Sequence, residues 1–322
     1  MMPLRGACSQ PRVAVVLLAA VSLGVGCAVQ LPEDPPPRPA GRVELAQLWV
    51  EPLDLERRDL FYGSGGHELA PEAKQLFHFE SEKTGTGFSP GFKVEDERGR
   101  PWDVKIGAEA RAEVLASRII WAIGYHQPPN HYLPRWTLER DGVSSAFGDS
   151  RFRPEFHPLE RKGNWSWHDN PFLETQAFRG LVVLMAVINN WDLTVDNTGI
   201  YEPDREWDGA RRWYVVRDVG ASFSHNRSRL LQGTRGDIEG FEAQPFVRGV
   251  ENGRVQFDWH GPHRELFENL STADVRWTCA LLARIRPEQW DAAFRAAGYG
   301  PQDAARLRAT LDERIAQGNG LR

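Results

Sequence analysis

The alternation of hydrophobic and polar positions predicts three strands at the start of the folded region. "LFHFES" and "FKVED" alternate with period two and "WDVKI" follows the turn "ERGR", so residues 76–105 are predicted to run strand, loop, strand, turn, strand. The segment "GAEARAEVLASRIIWAIG" then places Leu115 and Ile119 on one stripe and ends at Gly124, which is typical of a helix with a glycine stop. Residues 132–139 have further strand potential, and the polar stretch after them has no clear pattern.

A second, mainly helical region follows. "DNPFLETQAFRGLVVLMAVINN" is apolar on nearly all sides, which predicts a buried helix capped by Asn170 and beginning at Pro171. It leads into "DLTVDN" and a hairpin whose second strand is "WYVV". Three capped helices close the chain: "STADVRWTCALLARI", "RPEQWDAAFRAAG" and "PQDAARLRATLDERIAQG". This order predicts an α+β fold of two lobes, a small β-rich N-lobe with one helix at about residues 60–140 and a mainly helical C-lobe at about 141–322.

The N-terminus predicts export. Residues 1–27, "MMPLRGACSQPRVAVVLLAAVSLGVGC", combine a basic start, an apolar run too short to span a bilayer, and small residues before Cys27, which are the three parts of a secretory signal. The ending resembles a bacterial lipoprotein signal, in which the cysteine receives the lipid; ordinary cleavage nearby is the alternative. Residues 28–41 are proline-rich and predict a stiff tether, so the folded domain is expected at 42–322. We therefore expect a lipoprotein anchored in the bacterial cell envelope, in the periplasm or on the outer surface.

Composition narrows the function classes. The 322 residues are 41% hydrophobic and 26% charged, as in ordinary folded domains, and the net charge of −5 argues against a nucleic-acid partner. Outside the signal the sole cysteine is Cys279, which excludes an intrachain disulfide in the domain. Twelve tryptophans serve a core or a stacking surface equally well, and they leave open a lipoprotein that binds carbohydrate or peptide.

The spacing of polar residues suggests phosphoryl transfer. That chemistry needs a backbone loop over phosphates, a lysine, a carboxylate that holds the lysine, metal ligands, and a carboxylate near the attacking hydroxyl. Lys105 ends the third predicted strand, and Glu109 and Glu113 lie one turn apart on the next helix. Taken singly, Lys105 is more simply interpreted as an exposed lysine at a strand end, and Glu109 and Glu113 as part of a solvated helix face. The candidate loop is "TGTGFSPG", with Gly85, Gly87 and Gly91, for which a long polar hairpin turn is the alternative.

The remaining candidate residues for phosphoryl transfer lie before and after the predicted hairpin. Asp192 lies five residues before Asn197, between the buried helix and the first hairpin strand. Asp218 follows the second strand and is itself followed by Val-Gly. A carboxylate and an amide supply the oxygen ligands that Mg²⁺ prefers together with substrate phosphates.

These residues resemble the protein-kinase-like fold, and its atypical branches more than ordinary Ser/Thr kinases: the HipA-type, phosphoinositide-kinase-like, CotH-type and secretory-pathway casein-kinase-type enzymes. "AEVLASRIIWAIGYHQPP" is similar to the secretory-branch helix that carries its glutamate, which favours Glu113 over Glu109. "DLTVDN" matches the Asp-x-x-x-x-Asn catalytic loop, and "DVG" stands where the family has its metal-binding Asp. The resemblance covers about residues 76–223.

The resemblance implies a role for each residue. Lys105 would contact the α/β phosphates of ATP, and Glu113 would hold Lys105 or a metal. Asp192 would be the catalytic carboxylate, while Asn197 and Asp218 would bind Mg²⁺ or Mn²⁺. The chain departs from the pattern: no His-Arg precedes Asp192, "EPDREWDGARR" lengthens the hairpin, and no clear activation segment follows.

Two function classes follow. The first is an exported kinase-like phosphotransferase that uses ATP and a divalent metal on an unknown protein or small-molecule acceptor; nucleotidyl transfer would use the same ligands. The alternative is a non-catalytic, pseudokinase-like envelope lipoprotein that binds partners or acts as a scaffold. Oligomeric state is left open.

Histidines offer weaker metal-site candidates. The pairs His126 with His131 and His260 with His263 have no evident third ligand of zinc type, so core or surface positions are expected for them.

Overall fold

The N-lobe is a small barrel of five strands. The computed structural model describes residues 41–72, 74–83, 89–155, 159–225 and 235–322. The barrel strands are β1 (Leu76–Glu82), β2 (Gly91–Asp96), β3 (Pro101–Ile106), β4 (His131–Arg140) and β5 (Val143–Pro154). Their order is β1-β2-β3-β5-β4; β1 pairs in parallel with β4 to close the barrel, and the other neighbours are antiparallel. The three strands predicted between residues 76 and 105 are confirmed.

Aromatic and aliphatic side chains fill the barrel. Such residues suit the pleated surface of strands and pack edge to face with one another. Phe77, for example, meets Trp136 edge-on with ring centroids 5.7 Å apart. The buried set is Phe77, Val94, Trp102, Val104, Leu133, Trp136, Leu138 and Phe152.

The C-lobe is built from helices and two small sheets. The α-helices within the described residues, in both lobes, are α1 (Arg42–Leu45), α2 (Glu109–Ala122), α3 (Gln176–Val187), α4 (Ile238–Ala243), α5 (Glu265–Glu268), α6 (Thr272–Ala283), α7 (Pro287–Ala296) and α8 (Pro301–Asn319). The remaining strands are β6 (Leu159–Gly163), β7 (Thr198–Pro203), β8 (Trp213–Val216), β9 (Val247–Glu251) and β10 (Arg254–Phe257). Strands β6, β7 and β8 form one sheet, and β9 and β10 form another. The predicted hairpin before Asp218 and the three closing helices are confirmed.

Helix α2 is the N-lobe helix, and it is buried along nearly its whole length. It packs against β3, β4 and β5 of the barrel and against α7 of the C-lobe. Gly124 follows its end at φ +101°, and a side chain there would lie 2.2 Å from the carbonyl oxygen of Val50. Both facts require glycine, so the predicted stop is confirmed.

Two predicted boundaries are wrong. The buried helix begins at Gln176, because the hydroxyl of Thr175 accepts the N–H of Phe178 and makes Thr175 the N-cap. Asn170 instead accepts the N–H of Phe172 in the turn before the helix. The barrel also continues to Pro154 through β5, so the N-lobe sheet extends past the predicted limit near residue 140.

The two-lobed α+β organisation is confirmed. The predicted signal, the tether and Cys27 lie outside the described residues. No helix within the described ranges is both long and apolar enough to span a bilayer. Cys279 is buried in α6 with a free thiol.

Candidate active site

Lys105 stands at the centre of an ionic cluster between the lobes. Its Nζ lies 2.9 Å from Glu113 Oε2 and 3.2 Å from Glu109 Oε2, both on α2. The same nitrogen lies 2.7 Å from Oδ2 of Asp218, which follows β8. Burial would lower the pKa of Lys105, but Glu113, Asp218 and Glu109 outweigh burial and raise it above its ordinary value. The lysine is therefore a permanent cation held by acids from both lobes.

Glu113 is the structural partner of this lysine. Its side chain is 0% exposed, whereas that of Asp218 is 30% exposed. Besides Lys105, it meets Arg151 at 3.0 Å and Arg153 at 2.6 Å, two arginines that β5 directs to the same face. Burial would raise the pKa of Glu113, but Arg151 and Lys105 outweigh it and lower the pKa. In the structure, Glu113 is therefore a buried carboxylate paired with Lys105 and two arginines.

The loop between α3 and β7 places Asp192 and Asn197. The amide nitrogen of Asn197 donates to the backbone carbonyl of Asp192 at 2.8 Å, which closes the loop on itself. The backbone carbonyl of Asn197 accepts the N–H groups of Arg217 and Asp218, at 2.7 and 3.1 Å. The loop and the residue after β8 are therefore fixed to each other by backbone bonds, with the side-chain oxygen of Asn197 left available.

Asp192 has the electrostatics of a proton acceptor. Burial raises its pKa, Arg235 opposes the rise, and the charges of Asp218 and Glu109 add to it. A general base works best when its pKa approaches the operating pH, so a raised carboxylate pKa suits that task.

Arg235 joins the two lobes across the cleft. Its guanidinium contacts Glu109 of α2 and lies 3.3 Å from Asp192 Oδ2, and it also stacks over Trp191. Ser89 adds a hydroxyl bond to Glu109 at 2.7 Å. Glu109 is thus shared between Lys105 and groups at the mouth of the cleft.

Glycine permits the close approach of the loop to α2. A side chain at Gly220 would place its Cβ 2.9 Å from the Cβ of Glu109. The N–H of Gly220 donates to Asp218 Oδ1 at 3.2 Å, which orients that carboxylate. The "DVG" sequence therefore has a packing role in addition to its acid.

The structure brings most of the predicted site residues together. Lys105, Glu113 and Asp218 meet within hydrogen-bonding distance, and Glu109, left open against Glu113, also contacts the lysine. Asp192 and Asn197 adjoin this cluster, and Asp192 feels the charge of Asp218. Their catalytic roles stay predictions.

The predicted glycine loop is only partly described. Gly85 and Gly87 lie outside the described residues. Gly91 begins β2, where a Cβ would lie 2.0 Å from the carbonyl oxygen of Val104, so strand packing alone already demands glycine there. Its contribution to nucleotide binding also stays a prediction.

The donor set fits a hard divalent cation. The side chain of Asp218 is 30% exposed, and the backbone of Asn197 is hydrogen-bonded to that of Asp218, so the two residues offer a carboxylate and an amide from adjoining segments. Mg²⁺ and Mn²⁺ prefer such oxygens and complete their coordination with water and phosphate.

Sequence reasoning missed the arginines of the site. Arg151 and Arg153 were in a stretch without a clear pattern, although their spacing of two on a strand puts both on one face. Arg151 also pairs with Asp103 of β3 at 2.8 Å, so it bridges two buried acids. Arg235 had no local signal, because its partners are distant in sequence.

Comparisons with known proteins place the chain near kinases in structure. No family model matches the sequence, and no curated protein matches it. The chain is similar to the proinflammatory kinase CtkA of Helicobacter pylori, with 12% identity, a TM-score of 0.44, and coverage of 71% of this chain and 92% of that chain. It is also similar to the Rio2 kinase–ADP/Mg²⁺–phosphoaspartate complex from Chaetomium thermophilum, with 15% identity, a TM-score of 0.32, and coverage of 74% and 72%.

Proposed function

We propose that the chain is an exported kinase-like phosphotransferase that uses ATP and a divalent metal. The observation that supports this most is Lys105, which acids of both lobes hold in one cleft beside Asp192. A purely structural lysine needs one counter-ion, whereas this one has three carboxylates within 3.2 Å. A lysine held in place by carboxylates from two segments is positioned as the phosphate-contacting lysine of phosphoryl transfer must be.

Each residue then has a task. Lys105, held by Glu113, would contact the α/β phosphates, and Asp218 and Asn197 would hold Mg²⁺ or Mn²⁺. The bound metal would neutralise charge on the phosphate oxygens. Asp192 would accept the proton of the acceptor hydroxyl, for which its raised pKa is suited. The acceptor is a protein or a small molecule.

A second candidate is a non-catalytic binding or scaffold module. Arg235 supports it, because this arginine pairs with Asp192 and Glu109 and engages the proposed base. In that case the ionic cluster serves to join the lobes, and nucleotide turnover is absent.

The test is calorimetric titration of the full chain, purified in detergent, with ATP and either Mg²⁺ or Mn²⁺. We expect metal-dependent binding that Asp218→Ala weakens at least tenfold. Asp196→Ala is the matched control, since Asp196 is an exposed acid of the same loop. A folded wild-type chain without metal-dependent ATP binding would overturn the proposal and favour the scaffold. Label transferred from the γ-phosphate rather than the α-phosphate of ATP would separate kinase from nucleotidyl transfer.

We also propose that Cys27 carries a lipid that holds the protein on a membrane of the cell envelope. The signal-like residues 1–27 and the proline-rich tether support this. Metabolic labelling with a fatty acid in a bacterial host should mark the wild type and Cys8→Ser but not Cys27→Ser. Equal labelling of Cys27→Ser would refute lipidation at this residue.

A further inference from the structure

Three potential metal ligands converge on the surface of the C-lobe. His168 Nε2 lies 2.8 Å from His263 Nδ1 and 3.1 Å from Glu265 Oε1. His263 Nδ1 lies 3.4 Å from the same carboxylate oxygen. Within the described part of the chain, this is the one group of three His, Cys, Asp or Glu ligand atoms close enough to share an ion. None of the three takes part in the cleft described above.

The separations match the edge of a metal tetrahedron. Zinc bonds to nitrogen and carboxylate oxygen are about 2.0–2.2 Å long, so tetrahedral ligands lie about 3.3–3.6 Å apart. The three observed separations are 2.8, 3.1 and 3.4 Å. One pair is already at that spacing, and the two histidine nitrogens would have to move apart by roughly half an ångström or slightly more. Small side-chain rotations would therefore bring all three atoms to bonding distance of one ion.

We propose that His168, His263 and Glu265 form a binding site for a divalent transition metal, with Zn²⁺ as the favoured ion. Two imidazoles and one carboxylate are a set that zinc proteins use when a fourth position is left open. The side chains are 43%, 26% and 59% exposed, so an ion can enter and a water can complete the coordination. Mg²⁺ prefers oxygen ligands, so this site differs in metal preference from the cleft.

The backbone presents these side chains from two ordered segments. The N–H of His168 donates to the hydroxyl of Ser166, in the turn that precedes α3. His263 has a left-handed backbone with φ +56°, and its carbonyl accepts the N–H of Leu266 at the start of α5. Trp259 also donates its indole N–H to the carbonyl of Pro262 at 2.8 Å. A shared ion would tie the segment before α3 to the segment before α5.

The sequence predicts a core or surface position for His263, and its side chain is 26% exposed. Its chain neighbour His260 lies 3.2 Å from Asp258, whereas His263 lies beside Glu265 and beside His168, which is 95 residues away. Because the ligands are so far apart in sequence, no short sequence motif could have predicted them together. His126 and His131 are buried histidines, as expected.

The test uses the full chain in detergent, stripped with EDTA and titrated with ZnCl₂. We expect one equivalent of Zn²⁺ to bind and to raise the melting temperature. His168→Gln and His263→Gln should each weaken binding at least tenfold, while the matched control His260→Gln should bind like wild type. Co²⁺ in place of Zn²⁺ should give the visible absorption of a four-coordinate site in the wild type and control.

Two outcomes would overturn the site: no Zn²⁺ bound by the wild type above buffer controls, or equal binding by wild type, His168→Gln and His263→Gln.

Melting curves in EDTA show whether each variant folds, and Glu265→Gln gives an independent test at an exposed position. Asp218→Ala should retain Zn²⁺ binding, and His263→Gln should retain ATP binding. The failure of this site and the failure of the proposed function are thus distinguishable.

Discussion

At the scale of single residues, the charged side chains buried in the cleft neutralise one another. Glu113 is fully buried, and it is tolerable only because Lys105, Arg151 and Arg153 surround it. A buried ion pair adds little compared with apolar packing, but removing one partner leaves an uncompensated charge at high cost. The cluster therefore specifies one arrangement of β3, β5 and α2 rather than supplying net stability.

Arg151 is the residue whose loss should cost most stability. Arg151→Met would leave Asp103 and Glu113 short of a counter-ion, and we expect the free energy of unfolding to fall by about 3–5 kcal/mol. Arg135→Met, at an exposed position of β4, is the matched control and should change it by no more than about 0.5 kcal/mol. Urea unfolding followed by tryptophan fluorescence measures both, and equal values for the two variants would contradict the buried cluster.

Replacing Asp192 should have the opposite effect, with little change in the free energy of unfolding and a large loss of activity. Its pKa is raised in the fold, so the ionised carboxylate is disfavoured there, and the neutral Asp192→Asn variant should be about as stable as wild type. Loss of the proton acceptor should reduce ATP turnover by about 10²–10⁴-fold, measured as ADP release. Turnover within threefold of wild type would remove Asp192 from the mechanism.

At the scale of elements, hydrophobic periodicity predicted many of the elements that bury an apolar face, although it missed α4 and β10, which bury Phe241 and Val255. It found β1 to β3, α2 and the closing helices because each has such a face. It failed at β5, where the first residues are exposed and the buried ones include Arg151 and Arg153, which bury charge instead of hydrocarbon. Strand β5 is recognisable only once its partners β3 and β4 are known.

The start of α3 shows how local signals compete. Asn170 and Pro171 form a cap-like pair in sequence, yet the backbone first makes a turn and Thr175 caps the helix. We expect Thr175→Ala to lower the free energy of unfolding by about 1 kcal/mol. Thr194→Ala is the matched control, because Thr194 precedes a 3₁₀ turn without making a side-chain capping bond. Denaturant unfolding measures both, and a neutral Thr175→Ala would show that its hydroxyl bond adds nothing.

At the scale of the whole molecule, the site depends on how the lobes meet. Residue spacing and the family resemblance together predicted Lys105, Glu113, Asp192, Asn197 and Asp218 as one set, and the resemblance favoured Glu113 over Glu109. They could not predict Arg235, whose partners Glu109 and Asp192 belong to different lobes. Contacts of that kind follow from the docking of the lobes rather than from any local pattern.

The charge of Arg235 should set the pH dependence of the proposed reaction. Asp192 must be ionised to accept a proton, so turnover should fall as pH drops through its pKa. Arg235 lowers that pKa, so Arg235→Gln should raise it and move the acid limb of the turnover profile to higher pH. The matched control is Arg248→Gln, which removes a largely exposed arginine paired with Asp258 and should leave the limb in place. An unchanged limb in Arg235→Gln, or a limb that persists in Asp192→Asn, would mean that a group other than Asp192 takes the proton.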